Sequence, residues 1–233
     1  MPGTTLKQQN ANLLKLLEQA GLDSAQREIA ARVQTVLTDE LHHRMKNMLA
    51  MVTAIVRQSL RSAADLAEAE AAIGARLIAM AKAHDVLLKA DWQAADLATV
   101  IQAAIEQHTS AQGRIAVAGP TLEVASSSIL PLSLLFNELC TNAAKYGALS
   151  KDGGKVAVSW TDDAAKKSLI LRWVEKGGPK VAPPGARSFG TKLIESGIPK
   201  QFGGTGVLHF LPSGVEFELA VPLERLRPQG AVQ

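Results

Sequence analysis

Leu37, Leu41, Met45, Met48, Val52 and Ile55 are separated by four, four, three, four and three residues. That is the heptad spacing that gathers apolar side chains into one narrow stripe on a helix. Leu66, Ile73, Leu77, Met80 and Leu87 repeat the device, and the break between the two runs falls near residues 60–65. From about residue 24 to residue 90 the chain is Ala-rich and nearly free of Gly and Pro, so the pattern predicts a helical hairpin. Two such arms supply only half of a four-helix core. A second copy of the chain is the natural cover for the stripe, and a homodimer through the hairpin is expected.

After "ADWQAADL" the texture changes. The pattern predicts a helix over 96–107, a strand at "RIAVAG", a helix over 130–146, then alternating strands at "KVAVSW" and "SLILRWVE". A short helix, "TKLIESGIPKQF", and a hairpin around Pro212-Ser213-Gly214 follow. Asp152-Gly153-Gly154 is read as a further turn between antiparallel strands. The expected class is a multidomain α+β chain, with one sheet covered by helices on one face. The expected organisation is a lead-in helix or linker over 1–23, the hairpin over 24–92, a second domain over 93–225 and a flexible tail over 226–233.

Composition narrows the field. With 47 % hydrophobic residues the chain has ample material for a core and is not a disordered polypeptide. Its longest apolar runs fall well short of the roughly 20 residues a membrane helix needs. The N-terminus lacks a basic flank followed by an apolar signal core, so the cytoplasm is the expected location. A formal net charge of +3 with Lys and Arg spread along the chain gives no basic block, and nucleic acid is not an expected partner. There is one cysteine, Cys140, and no zinc-like Cys/His spacing.

Two adjacent histidines lie in "ELHHRMKNMLA". At about 100° per residue, His43 falls almost opposite the centre of the apolar stripe and His42 on its flank. Asp39, Glu40, Lys46 and Asn47 surround His43. A neighbouring carboxylate can hold one imidazole nitrogen protonated and leave the other a nucleophilic lone pair. Asp39 and Glu40, four and three residues before His43, are both in reach. An exposed histidine alone carries no function; this one requires a phosphate donor elsewhere.

The second half offers one. In "LPLSLLFNELCTNAAKYGALS", Glu138, Asn142 and Lys145 share one helical face, while Leu132, Phe136, Leu139 and Ala143 share another. A carboxylate, an amide oxygen and an ammonium in a row suit a magnesium nucleotide, with hard oxygen ligands for the metal and a cation for phosphate. In "LRWVEKGGPKVAPPGARSFGTKLIESG", Leu169, Leu171, Trp173 and Glu175 alternate onto one side of a strand. Glu175 then needs donors, which an adenine amino group would supply. Gly177 and Gly178 permit close backbone approach to a flat ligand, the Pro/Gly-rich stretch to Arg187 suits a flap, and Gly190 opens a helix whose N–H groups suit phosphate.

The segments "ELHHRMKNMLAMVTAI", "RLIAMAKAHDVLLKADWQAADL", "NELCTNAAKYGALS", "RWVEKGGP" and "SFGTKLIE" together closely resemble the HWE and related HisKA_2-type bacterial sensor histidine kinases. The resemblance implies a dimerisation and phosphotransfer hairpin followed by a Bergerat (GHKL) ATP-binding α/β sandwich, with ATP and Mg²⁺. It implies His43 as phosphoacceptor, Asn142 as magnesium ligand and Glu138 as general base or organiser of water or metal. Lys145 and Tyr146 would lie by phosphates and ribose, Trp173 and Glu175 would form the W-x-E motif, and Gly177 and Gly190 would belong to the glycine boxes. Two positions depart from the pattern. Asn137 stands where the HWE group has its histidine, which points toward the HisKA_2 relatives, and Ser188 stands where glycine often precedes Phe-Gly. The implied activity is autophosphorylation on His43 and transfer to an aspartate of a response-regulator receiver domain. The runner-up is a phosphotransfer adaptor with weakened ATP binding. The lead-in segment is too short for a sensory domain, so a separate sensor protein is among the expected partners.

Overall fold

The computed structural model describes residues 6–63, 65–90, 94–108, 113–163, 167–181 and 189–228. At a number of positions in the first helix, Glu40 and His43 among them, and at residue 189, the side chains lie outside that description, as does the whole of Ser188. The chain forms two compact units, Met1–Ala54 and Ile55–Gln233.

Helix α1 (Leu6–Ser62) is one continuous helix. The expected boundary at residue 23 is absent from the backbone, because nothing between Leu6 and Ser62 breaks the helix beyond a lone glycine, Gly21. In the first unit the described side chains from Leu13 to Ala50 are all exposed, and burial begins toward Ile55.

The second unit starts with the end of α1. Helix α2 (Leu66–Lys89) is capped by Asp65, whose carboxylate accepts from the Glu68 amide at 2.7 Å, satisfying a backbone donor that the first turn leaves open. Its buried face differs from the expected leucine row. Ala69, Arg76, Ala79, Met80, Ala83, Val86 and Leu87 are buried, whereas Leu66, Leu77 and Ile78 are exposed. The small residues let α2 pack closely on later helices, and the larger leucines are left outward.

Strand β1 (Ala94–Asp96) leads into α3 (Leu97–Ile105), with Asp96 capping it through the Ala98 amide at 3.2 Å. Strands β2 (Ile115–Ala118) and β3 (Glu123–Ala125) follow, then α4 (Ser126–Lys145), a 3-10 turn at Ala148–Ser150, β4 (Lys155–Asp163) and β5 (Ser168–Lys176). The stretch Phe189–Gln201 forms α5 (Phe189–Lys192), a π turn at Leu193–Gly197 and α6 (Ile198–Gln201). The hairpin β6 (Thr205–Leu211) and β7 (Gly214–Pro222) ends in α7 (Leu223–Leu226). Residues 229–233 of the expected tail lie outside the described residues.

The main sheet has the order β2-β4-β5-β7-β6, and β1 pairs with β3 in a separate small ladder. The expected all-antiparallel sheet is corrected at one edge: β2 pairs in parallel with β4. The chain between them crosses over through α4, the connection a parallel pair requires. Gly153, at φ +86°, therefore turns the chain into β4 from the 3-10 turn and not between two antiparallel strands. Alternate residues of β4 and β5 are buried, including Val156, Val158, Trp160, Leu169, Leu171 and Trp173. Together with Leu132, Leu135, Phe136 and Leu139 of α4 and Phe217 and Leu219 of β7, they form the core. Helix α4 starts four residues before its predicted first residue. Pro131 thus sits in its second turn, where it costs one backbone hydrogen bond.

Candidate functional site

Helix α4 positions the row read from the sequence, but not uniformly toward solvent. Glu138 is buried, Asn142 is half-buried, and Lys145 and Tyr146 are exposed at the C-terminal turn. A cleft of ≈ 180 Å³ gathers Glu138, Asn142, Lys145 and Tyr146 with Gly190 of α5 and with Ala72 and Ala75 of α2. Glu138 does not face open solvent. Its Oε1 accepts from Arg76 Nε at 2.7 Å and its Oε2 from Arg76 Nη2 at 3.1 Å. A buried carboxylate demands such a partner. Arg76, the partner, was absent from the sequence reading. The signal was a lone arginine inside the alanine face of α2.

A second cluster forms where β5 ends. Glu175 is 3 % exposed; its Oε2 accepts from the Ala148 amide at 2.7 Å and its Oε1 from Trp173 Nε1 at 3.0 Å. Burial holds the Glu175 carboxyl above its ordinary pKa, and those two hydrogen bonds oppose the rise. Cys140 is also buried, and burial together with the nearby Glu175 charge pushes its thiol up to about 12, so it is inert as a nucleophile. Gly177 adopts φ +76°, which favours glycine. Gly178 lies against the Ala148 backbone, where a Cβ would come within 2.8 Å. The close approach that requires glycine there is thus made within the protein. Trp173, Glu175, Gly177 and Gly178 do not line the α4 cleft; the turn at 146–148 connects the two clusters. Two lone-pair positions on the Glu175 oxygens remain beyond the two bonds named, since an ionised carboxylate offers about four.

Asn137 is 2 % exposed, its Oδ1 lies 3.2 Å from His108 Nε2, and its Nδ2 has no partner among the described residues. Burial lowers the pKa of His108, with the Asn137 contact opposing. Asn137 thus reaches His108, just beyond the end of α3, and also lines the cleft beside Glu138.

On α1, His42 and Asp39 are exposed. The backbone at Glu40 and His43 is helical, and their side chains lie outside the described ones. The flap residues 182–188 also lie outside the description. Among the described residues no group of three His, Cys, Asp or Glu side chains converges to hold a metal. A magnesium ion bound mainly by nucleotide phosphates needs only one or two protein oxygens, and the Asn142 amide meets that requirement. No helix among the described residues is long and apolar enough to cross a membrane.

The HWE histidine kinase family model matches residues 40–121. The blue-light-activated histidine kinase of Brucella anthropi is 36 % identical over 205 residues, covering 87 % of this chain and 42 % of that protein. Its counterpart in Brucella ovis is 35 % identical over 204 residues, covering 86 % and 42 %. The chain belongs to the HWE-type sensor histidine kinases. The family match ends before Asn137, and the chain spans about two fifths of the curated relatives' length. In structure it is similar to the blue-light activated histidine kinase of Erythrobacter litoralis, at TM-score 0.58 and 18 % identity, over 80 % of this chain and 58 % of that one. The isolated kinase domain of the same protein gives 0.53 and 17 %, over 66 % and 75 %. The similarity establishes the fold: helices over a GHKL-like α/β sandwich.

Proposed function

We propose that this HWE-type chain is an ATP-dependent protein-histidine kinase that phosphorylates itself on His43 and passes the phosphoryl group to an aspartate of a response-regulator receiver domain. The observation that carries the reading is the convergence of Asn142, Lys145, Tyr146 and Gly190 on one cleft beside Glu138. Residues 24–92 act as the phosphotransfer hairpin and homodimer interface, and residues 93–225 bind the nucleotide. A separate sensor protein, or a segment beyond this chain, supplies the signal.

Asn142 would offer Mg²⁺ its amide oxygen and Lys145 would offer the phosphates a cation, while Glu175, held by Trp173 Nε1 and the Ala148 amide, would supply an acceptor for the adenine amino group. Gly177 and Gly190 allow the backbone to close on the nucleotide. Mg²⁺ when bound would neutralise charge on the phosphates. The protein's part in phosphoryl transfer is positioning and electrostatics. The imidazole of His43 attacks the γ-phosphorus in line, the bond to the β-bridging oxygen breaks, ADP leaves, and the ring proton passes to a carboxylate. Asp39 and Glu40, at i−4 and i−3, are the neighbouring groups for orientation, and Glu138 organises the proton or a water on the nucleotide side.

The test is label transfer from γ-labelled ATP. His43→Ala should lose incorporation at least about a hundredfold, the scale of losing a nucleophile, while His42→Ala labels normally and both retain nucleotide binding. Equal labelling of His43→Ala and the parent would refute the assignment.

A further inference from the structure

The buried face of α2 contains one charged side chain. Arg76 is 7 % exposed and its guanidinium reaches both Glu138 and Ser59. Nε and Nη2 donate to the two oxygens of Glu138, and Nη1 donates to Ser59 Oγ at 2.6 Å. Ser59 is fully buried and Glu138 is 5 % exposed. One side chain therefore joins the end of α1, the middle of α2 and the helix that carries Asn142 and Lys145.

We propose that Arg76 is a positioning residue that latches α4 onto α2 and withholds the Glu138 carboxylate, so that phosphoryl transfer proceeds from the state in which the pair has opened. The proposal rests on the kinase reading above and assigns that same site its regulated step. A carboxylate gripped by a bidentate guanidinium has both oxygens engaged in charge-assisted bonds. Both groups are buried, so breaking the pair in place would strand a charge; the pair is made when the helices are docked and lost when they part. Around it, α2 presents Ala71, Ala72 and Ala75 to the cleft, which add little apolar adhesion. The ion pair is thus the polar element of this end of the contact, while Met80, Val86 and Leu87 are buried further along α2. Ser59 attaches it to α1, the helix on which His43 lies, so a displacement of that helix end alters the Nη1 bond directly.

The test compares the full chain with Arg76→Gln, Arg76→Lys, Ser59→Ala and Glu138→Gln. Amide hydrogen exchange is followed over 66–80 and 137–145, binding of a fluorescent ATP analogue is measured, and label incorporation is recorded. Arg76→Gln should raise exchange in both segments about tenfold, without raising it in β4 and β5, and should strengthen nucleotide binding and labelling several-fold, as expected when a minor competent state becomes populated. Arg76→Lys keeps charge but not the planar fork and should fall between, with Ser59→Ala the mildest. Glu138→Gln should raise exchange in the same segments yet lower labelling. Opposite signs of labelling are the mark of a latch, because a purely structural pair would lower both. Weaker nucleotide binding in Arg76→Gln, or unchanged exchange, would overturn the proposal. If Arg76→Gln fails to fold, Arg76→Lys and Ser59→Ala carry the same comparison. If neither parent nor variants bind nucleotide, the kinase reading fails, and exchange alone decides whether the latch exists.

Discussion

The stretch before residue 55 and the unit that follows it solve the same problem in opposite ways. In Ile55–Gln233, large side chains such as Trp173, Phe136 and Phe217 are fully enclosed, and buried carboxylates have named partners. In Met1–Ala54 the described contacts are local. Glu28 pairs with Arg32 one turn on at 2.7 Å, and Thr35 and Thr38 return their hydroxyls to carbonyls four residues back. Leu13, Leu16, Ile29, Met45 and Leu49 are all more than half exposed. Local pairs of this kind stabilise a helix by only a few tenths of a kcal/mol each, and most helix stability in proteins comes from packing an apolar face. Among its described side chains up to Ala50, the helix on which His43 lies buries none.

The largest test of that contrast is truncation inside the core. Trp173→Ala removes a fully buried indole and its bond to Glu175, and should cost about 3–5 kcal/mol in urea unfolding. It should also loosen the 146–148 turn and weaken nucleotide binding. A cost below about 1 kcal/mol would mean that the sheet is held elsewhere.

How much of this was legible in advance follows the same division. Periodicity located the α1 and α2 helices, the β4–β5 pair and the β6–β7 hairpin, because each buries one face and shows the period of its own geometry. The parallel β2–β4 pair was not legible, since four residues with alternating burial look the same in either direction. That Glu138, Asn142 and Lys145 lie along one helix was read from spacing. That Glu138 points into a neighbour was not, because its partner is 62 residues away and no local rule joins Arg76 to it. On α2 the row was buried only in part: Met80 and Leu87 point inward, whereas Leu66 and Leu77 are exposed. Alanine, which contributes little to a hydrophobic pattern, permits the closest helix approach.

Glu175 gives a subtler test, since burial raises its pKa in the folded protein. A carboxyl raised in this way binds its proton more tightly folded than unfolded. Its contribution is complete below the unfolded pKa and is lost as pH rises through the folded one. Parent stability relative to Glu175→Gln should therefore decline as pH rises across the carboxylate range, against the trend of carboxylates whose pKa is lowered by partners. Urea midpoints of both proteins over a pH series measure it, and a relative stability that climbs with pH would show that the two hydrogen bonds outweigh burial.

The smallest effect on the isolated chain is expected on the uncovered helix. Met45 is 53 % exposed, so Met45→Ala should change unfolding by less than about 0.5 kcal/mol at concentrations low enough to keep the chain monomeric. At higher concentration the expectation changes if a second copy covers the stripe. Association with a folded partner stabilises by mass action, so the parent Tm should rise with protein concentration and that of Met45→Ala should rise less. Light scattering gives the stoichiometry directly. A parent that stays monomeric, with a Tm independent of concentration, would leave the contrast between the regions intact but remove the homodimer as its explanation. A partner of another kind would then have to cover the exposed side chains described on this helix.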